Sequence, residues 1–227
     1  MSGPTLQERS AELRVAGTEA VGLYTLLRVE AGPLAPGRPG QFFMLRAPGR
    51  VLPRPMSLCL YRDGELCFLI DPIGPGTRAL CAMTAGDRLH VLGPLGNGFD
   101  VGVPRPLLVG GGIGIAPLPY AAQVLGDVPA ILGFRTRLHA EAAVLLPGAQ
   151  VVVEPELVTS LLPQEPVDVL ACGPEPMLEA VRRLVPTAQL AWEAPMACGY
   201  GACYGCVVEV EGHLERLCVA GPVLRAA

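Results

Sequence analysis

Through the first hundred residues apolar positions come in short runs that alternate with polar ones: LYTLLRV from Leu23, QFFMLRA from Gln41, MSLCLYR from Met56, LCFLI from Leu66 and RLHVLG from Arg88. A period of two, with turn residues at Asp63-Gly64 and Ala85 to Asp87, predicts antiparallel strands closing into a small β-barrel between Gly22 and about Val103. Beyond Pro104 and Pro106 the pattern changes. PLLVGGG reads as a buried strand entering a glycine turn, and APLPYAAQVLG as a helix with Pro117 in its first turn. Further strands are expected at AILGF, QVVVE and VDVLACG, and the helix PEPMLEAVRRLV follows the last of them. Such alternation predicts a parallel-sheet α/β domain. AQLAWEAP closes that domain, and a C-terminal segment adds its own strand pair, CVVEVEG and HLERLCV. The expected division is therefore 1–103, 104–192 and 193–227, which suits a chain of 227 residues.

Composition narrows the function classes. The chain is 51% hydrophobic and 17% charged, the profile of a folded protein. All 17 basic residues are arginine, so Walker-type and Schiff-base lysine chemistry is excluded. A net charge of −4 lacks the basic excess that nucleic acid or anionic lipid calls for. The opening MSGPTLQERSAELR is charged where a secretion signal needs an apolar stretch, so a cytoplasmic location is expected. The longest uncharged run, Pro106 to Gly126, is broken by glycine and proline and reads as strand, turn and helix rather than a membrane span.

Eight cysteines in a reducing compartment are a poor disulfide framework. Cys59, Cys67, Cys81 and Cys172 sit among apolar neighbours and read as core. The other four, Cys198, Cys203, Cys206 and Cys218, give the spacing C-x4-C-x2-C-x11-C. Four thiolates offset the charge of iron, and the interleaved glycines let backbone amides turn toward sulfur, in the spacing of plant-type [2Fe–2S] sites. Structural zinc is the alternative, although four-cysteine zinc sites usually pair two short hooks where this chain has one. Simple core packing or a disulfide is the remaining possibility.

Glycine turns supply the second set of candidates. LVGGGIGIAPL places Gly111, Gly112 and Gly114 between a strand and a helix, where backbone can approach a pyrophosphate. LACGPEPM repeats the theme with Cys172, Gly173 and Pro174, and two such turns at strand ends suggest one crevice. Glycine turns also serve packing. In the barrel, RPMS offers Arg54 and Ser57 and GPGT offers Gly76 and Thr77, a fork and small donors suited to phosphate oxygens. GPLGNGF holds the chain's single asparagine, Asn97, and reads equally well as a tight turn or a loop joining domains. No serine lies in G-x-S-x-G, and His90, His139 and His213 lack metal-ligand spacing.

Taken in order, RPMS, GPGT, GPLGNGF, GGGIGIAPL, CGPEPM and MACGYGACYGC resemble the electron-transfer subunits of class 1B dihydroorotate dehydrogenases, over roughly Gly22 to Val223. More broadly the chain is similar to the ferredoxin–NADP reductase superfamily, which joins a flavin-binding barrel to a nucleotide-binding α/β domain. The resemblance implies an oxidoreductase subunit with FAD held through Arg54, Pro55, Met56, Ser57, Leu69, Ile70, Asp71, Gly76 and Thr77. It implies a [2Fe–2S] cluster on Cys198, Cys203, Cys206 and Cys218, and NAD(H) as co-substrate. Its implied partner is a separate FMN-containing catalytic subunit that oxidises dihydroorotate, in a heterotetramer of two chains of each kind, within pyrimidine biosynthesis. No acid or base from this chain is then required, because cofactors carry the chemistry.

One departure stands out. Where the family commonly has a DGSxGxxG-type loop, QVVVEPELVTSLL runs straight from Gln150 to Leu162, and weakened or altered nucleotide binding is the expectation. Two other readings follow from the same residues. One keeps the cofactors but serves an NAD(P)H-dependent ferredoxin or sulfide oxidoreductase; the other is a zinc-stabilised binding module without redox function.

Overall fold

A computed structural model describes residues 5–210 and 212–225. Residues 1–4, 211 and 226–227, which include the start of the charged opening stretch and the end of the C-terminal segment, lie outside the described residues. The first unit is a seven-stranded antiparallel sheet: β1 (Ser10–Val21), β2 (Tyr24–Glu30), β3 (Phe42–Arg46), β4 (Arg54–Ser57), β5 (Leu60–Arg62), β6 (Glu65–Ile70) and β7 (Arg88–Leu95), with helix α1 (Pro75–Cys81) between the last two. Its strand order is β4-β3-β7-β1-β2-β6-β5.

Two features of this sheet depart from the sequence reading. β1 precedes the predicted strands, which begin at Leu23; its charged Glu12, Arg14 and Glu19 interrupt the apolar pattern, yet Leu13 and Val15 between them are buried. The run MSLCLYR is two strands rather than one. At Leu58 and Cys59 the chain leaves one edge of the sheet and joins the other, the Cys59 amide donating to the Cys67 carbonyl at 2.8 Å. That crossing closes the barrel, and both residues are buried at the seam. The predicted Asp63-Gly64 turn forms with both residues at positive φ, 53° and 75°, matching the twist of the β5–β6 hairpin. Inside, the rings of Phe43 and Phe68 meet edge to face at 5.6 Å, worth about 1 kcal/mol beyond their burial.

The second unit alternates as predicted: β8 (Pro106–Gly111), α2 (Leu118–Leu125), β9 (Ala130–Phe134), α3 (Arg137–Ala140), β10 (Gln150–Val153), β11 (Asp168–Cys172), α4 (Glu175–Leu184) and β12 (Gln189–Ala191). The C-terminal segment contributes β13 (Val207–Val210), β14 (His213–Arg216), α5 (Leu217–Ala220) and β15 (Val223–Arg225). HLERLCV is thus strand only as far as Arg216; Leu217 to Ala220 turn helical. The sheet order is β10-β9-β8-β11-β12-β15, parallel throughout except for β15, which returns antiparallel against β12. No described helix is long and apolar enough to cross a membrane.

A shared core joins the two units, with Tyr24, Leu26 and Leu69 of the barrel packed in one cluster with Leu108, Leu118 and Phe134 of the α/β domain. Polar contacts fix the docking. The Gln123 amide both donates to the Tyr61 carbonyl at 2.6 Å and accepts from the Tyr61 N–H at 3.2 Å. Gln189, the one fully buried polar side chain among the described residues, makes the same reciprocal pair with the backbone of Asp100.

Candidate electron-transfer site

The cysteine segment folds against the open end of β3 and β7. Phe42, Met44 and Leu95 form one apolar cluster with Cys206, Leu217 and Cys218. Gly199 has φ +80°, and a side-chain carbon there would meet the Met44 Sδ at 2.8 Å, so only glycine lets the loop lie on the barrel. GPLGNGF is the joint. The Asn97 side chain donates to the Ala220 carbonyl at 2.8 Å and its backbone forms an isolated bridge with Pro222. The motif serves neither of its two candidate roles alone: it is a turn at the end of β7 whose asparagine ties the barrel to the cysteine segment.

The four cysteines come together as two pairs. Cys206 and Cys218 are buried, with sulfurs 3.1 Å apart. Cys203 is exposed and its thiol neighbours that of Cys198. Burial raises the Cys198 pKa, but hydrogen bonds from the backbone of Tyr200, Cys203 and Ala202 outweigh it and bring the thiol down to about 6. The Ala202 amide is 3.3 Å from that sulfur. Burial and the neighbouring Cys206 push Cys218 up to about 12. Among the described residues no three His, Cys, Asp or Glu groups converge on a point suited to one ion. Paired sulfurs, with the Ala202 amide aimed at Cys198 and the Cys218 amide at Cys206, fit a binuclear cluster, two thiolates to each metal.

Arg216 was not among the sequence candidates, and it sets this cradle. Its guanidinium donates to the Gly201 carbonyl at 2.7 Å and lies 5.0 Å from the centroid of the Tyr204 ring, whose residue takes φ +59°. Both ends of the loop carrying Cys203 are therefore pinned from the β14 side. Nothing in the local sequence pattern marks Arg216 for this role.

β4 holds Arg54, Pro55, Met56 and Ser57, all half-buried. The Arg54 guanidinium donates to the Leu52 and Pro53 carbonyls at 3.1 and 3.0 Å, which aims its remaining N–H groups across the first turn of α1. A carbon added at Gly76 would stand 2.7 Å from the Arg54 Cζ, so Gly76 is where the arginine needs the backbone bare. Thr77 closes that turn, its hydroxyl accepting from the Gly74 amide at 3.0 Å. Arg54, Gly76 and Thr77 are thus one constellation. Leu69 and Ile70 have their side chains in the core, at 2% and 1% exposure, so only their backbone can face a ligand. Asp71 emerges from β6 into the crevice beyond.

That crevice, about 480 Å³, lies between the two units and is lined by Tyr24 and Asp71 from the barrel and by Gly111, Gly112, Pro174 and Met177 from the α/β domain. The two glycine turns meet across it. A carbon at Gly114 would stand 2.6 Å from the Gly173 nitrogen, and one at Gly111 3.0 Å from the Pro174 ring. Gly111, Gly114 and Gly173 therefore serve close packing of the turns, whereas Gly112, at φ +54°, lines the crevice with open space beside it. Cys172 is buried, its thiol raised by burial and by Glu193, and it contributes packing. Burial and the charge of Asp71 push Tyr24 up to about 12, so its hydroxyl stays protonated at the crevice wall. β10 leads directly into a turn that brings Glu154 and Glu156 to the crevice, which Arg135 and His139 also line.

Residues 193–227 match the family described as the iron–sulfur cluster binding domain of dihydroorotate dehydrogenase B. The chain is 36% identical over 220 residues to the dihydroorotate dehydrogenase B (NAD(+)) electron transfer subunit of Listeria innocua, covering 83% of this chain and 85% of the relative. It is 34% identical over 205 residues to the corresponding subunit of Clostridium perfringens, covering 81% and 83%. Among solved structures, that of an NADH-dependent reduced ferredoxin-NADP oxidoreductase superposes with a TM-score of 0.80 at 24% identity, over 100% of this chain and 90% of the other. A ferredoxin reductase of carbazole 1,9a-dioxygenase gives 0.68 at 22% identity, over 80% and 68%. A closed antiparallel barrel, a parallel α/β sheet and a four-cysteine terminus define an electron-transfer oxidoreductase subunit with the ferredoxin reductase fold. Within that class, the chain belongs to the family of dihydroorotate dehydrogenase B electron transfer subunits.

Proposed function

We propose that this chain carries electrons from a separate, FMN-containing dihydroorotate dehydrogenase subunit to NAD, in the pyrimidine pathway, with 1–103 as the flavin unit, 104–192 as the nicotinamide unit and 193–227 as the cluster segment. When bound, the cluster passes electrons singly and the flavin collects them for release as a hydride. The observation that carries this reading is β3. On one side Phe42 and Met44 pair in register with Ser57 and Pro55 of β4, and the same two side chains pack on the cysteine segment. A single strand, with a spacing of about 4.8 Å to its neighbour, separates the cluster loop from the candidate flavin cradle.

The chain's own residues divide the work. Cys198, Cys203, Cys206 and Cys218 would hold the cluster, with loop amides stabilising sulfur charge. Arg54, Gly76 and Thr77 would bind the flavin's phosphates; Pro55, Met56, Ser57 and the backbone of Leu69, Ile70 and Asp71 would line its length. Gly112 would admit the nicotinamide nucleotide, while Gly111, Gly114, Cys172, Gly173 and Pro174 shape the turns behind it. The catalytic subunit would dock where Tyr200, Tyr204 and Leu214 stand exposed around Cys203, in an assembly of two chains of each kind in the cytoplasm. The test is anaerobic co-expression with a dihydroorotate dehydrogenase catalytic subunit. The expected product is a brown complex with FAD, FMN and two irons per chain of this protein that reduces NAD with dihydroorotate. A complex that forms with zinc in place of iron would overturn the reading. The ferredoxin–NADP reductase likeness carries the fold, and the sequence relatives favour the dihydroorotate partner over a ferredoxin or sulfide one.

The shortened connection after β10 bears on the nucleotide. Asp71, Glu154 and Glu156 put three carboxylates around the crevice against Arg135 and His139, and NADH brings a doubly charged pyrophosphate. Each carboxylate at close range costs about 1 kcal/mol in water. The double substitution Glu154→Gln/Glu156→Gln is expected to tighten NADH about threefold to tenfold, read from the NADH dependence of flavin bleaching in stopped flow. Native NADH affinity in the low micromolar range, unmoved by the substitutions, would remove the turn as a determinant.

A further inference from the structure

The outer face of the barrel gathers charge on residues that line neither the crevice nor the cysteine cluster. Sheet register sets Arg46 of β3 opposite His90 of β7, and His90 opposite Glu12 of β1, in one row across three strands. Residues two apart on a strand share a face, so Arg88 stands beside His90. The turn after β3, closed by the Arg50 amide on the Ala47 carbonyl at 3.2 Å with Gly49 at φ +70°, folds Arg50 toward the same place. Together they line a cavity of about 370 Å³, within the size range of small-molecule pockets. Glu12 is its single carboxylate against three guanidiniums. Among the described residues the ion pairs fall on Arg28, Arg182 and Arg225, and none on Arg46, Arg50 or Arg88. In a chain of net charge −4 this concentration of arginine is unfavourable by itself, and an anion seated among the three would relieve it.

We propose that this pocket binds a small phosphate-bearing ligand, gripped by the guanidinium forks of Arg46, Arg50 and Arg88 with His90 at its floor. Forked guanidiniums on converging strands suit di- or triphosphate oxygens, and a concavity of this size suits a small ligand better than the flat face of an acidic protein. His90 is held by the Ser10 hydroxyl at 2.9 Å. Burial and then Arg46 lower its pKa, against Glu12, so it is neutral at pH 7. A bound anion would favour its protonation, and binding would strengthen as pH falls. The groups facing it are Ser10 and Glu12 from β1, Arg46 from β3, Arg88 on its own strand and Arg50 from the turn.

The experiment is calorimetric titration of inorganic pyrophosphate into the flavin- and cluster-loaded chain assembled with its catalytic subunit. One site per chain is expected, weakened by salt, and weakened at least tenfold by Arg46→Ser/Arg88→Ser and by Arg50→Ser alone, with NADH–ferricyanide activity unchanged. Between pH 8 and pH 6 the ratio of wild-type to His90→Gln affinity should rise several-fold. Absence of binding, or binding that survives both arginine variants and therefore lies at another site, would overturn the proposal. So would loss of subunit assembly in those variants without any pyrophosphate site, which would make the face a protein-docking surface.

Discussion

Cys203→Ser should leave FAD bound and NADH–ferricyanide activity intact while dihydroorotate-linked NAD reduction falls at least a hundredfold. Cys203 is the exposed member of the cysteine set, so its replacement removes a proposed cluster ligand without opening the core. Cys206 and Cys218 differ: each is 2% exposed and packs with Phe42, Met44 and Leu217, and a serine there adds an unsatisfied hydroxyl costing about 1–3 kcal/mol. Cys203 is therefore the position at which relay and stability separate. Its loop should keep its shape, because Arg216 holds Gly201 and the Tyr204 ring independently of the thiol. The readouts are iron content, the visible spectrum and the two activities side by side. Undiminished dihydroorotate-linked turnover after loss of iron would falsify the relay.

How much of this was legible beforehand varied with what each residue answers to. Motifs whose chemistry is local read well: the cysteine spacing placed all four thiols in one segment, and both glycine turns fell at the ends of β8 and β11. Periodicity found the α/β strands because buried parallel strands are continuous apolar runs. It missed β1, where alternation with charge mimics a solvated stretch, and it fused β4 with β5, because nothing in MSLCLYR marks a change of sheet edge. The separate duties of the glycines were equally hidden. Gly111 answers to the Pro174 and Met177 side chains and Gly114 to the Gly173 backbone, while Gly112 beside them answers to open space, and no local pattern distinguishes the three. Arg216 and Asn97 act through contacts that exist only once the C-terminal segment has folded back onto the barrel.

The second large effect is expected at Arg54. Its fork is anchored on one side by the Leu52 and Pro53 carbonyls, and its other N–H groups cross bare backbone at Gly76. Bound through that side, a flavin pyrophosphate would receive two charge-assisted hydrogen bonds, each worth about 1.5–3 kcal/mol. Arg54→Ala should thus weaken FAD by roughly a hundredfold or more, measured by titrating the flavin-free protein and following flavin fluorescence. Arg54→Lys tests whether the fork or the charge matters, since an ammonium keeps the charge but cannot hold the Leu52 and Pro53 carbonyls and reach the phosphates together. It should recover only part of the loss. Arg54 is half-buried and makes no ion pair among the described residues, so the thermal midpoint of the flavin-free protein should barely move. An unchanged FAD affinity in the alanine variant would separate β4 from the flavin, and β3 would then no longer stand between the two cofactors.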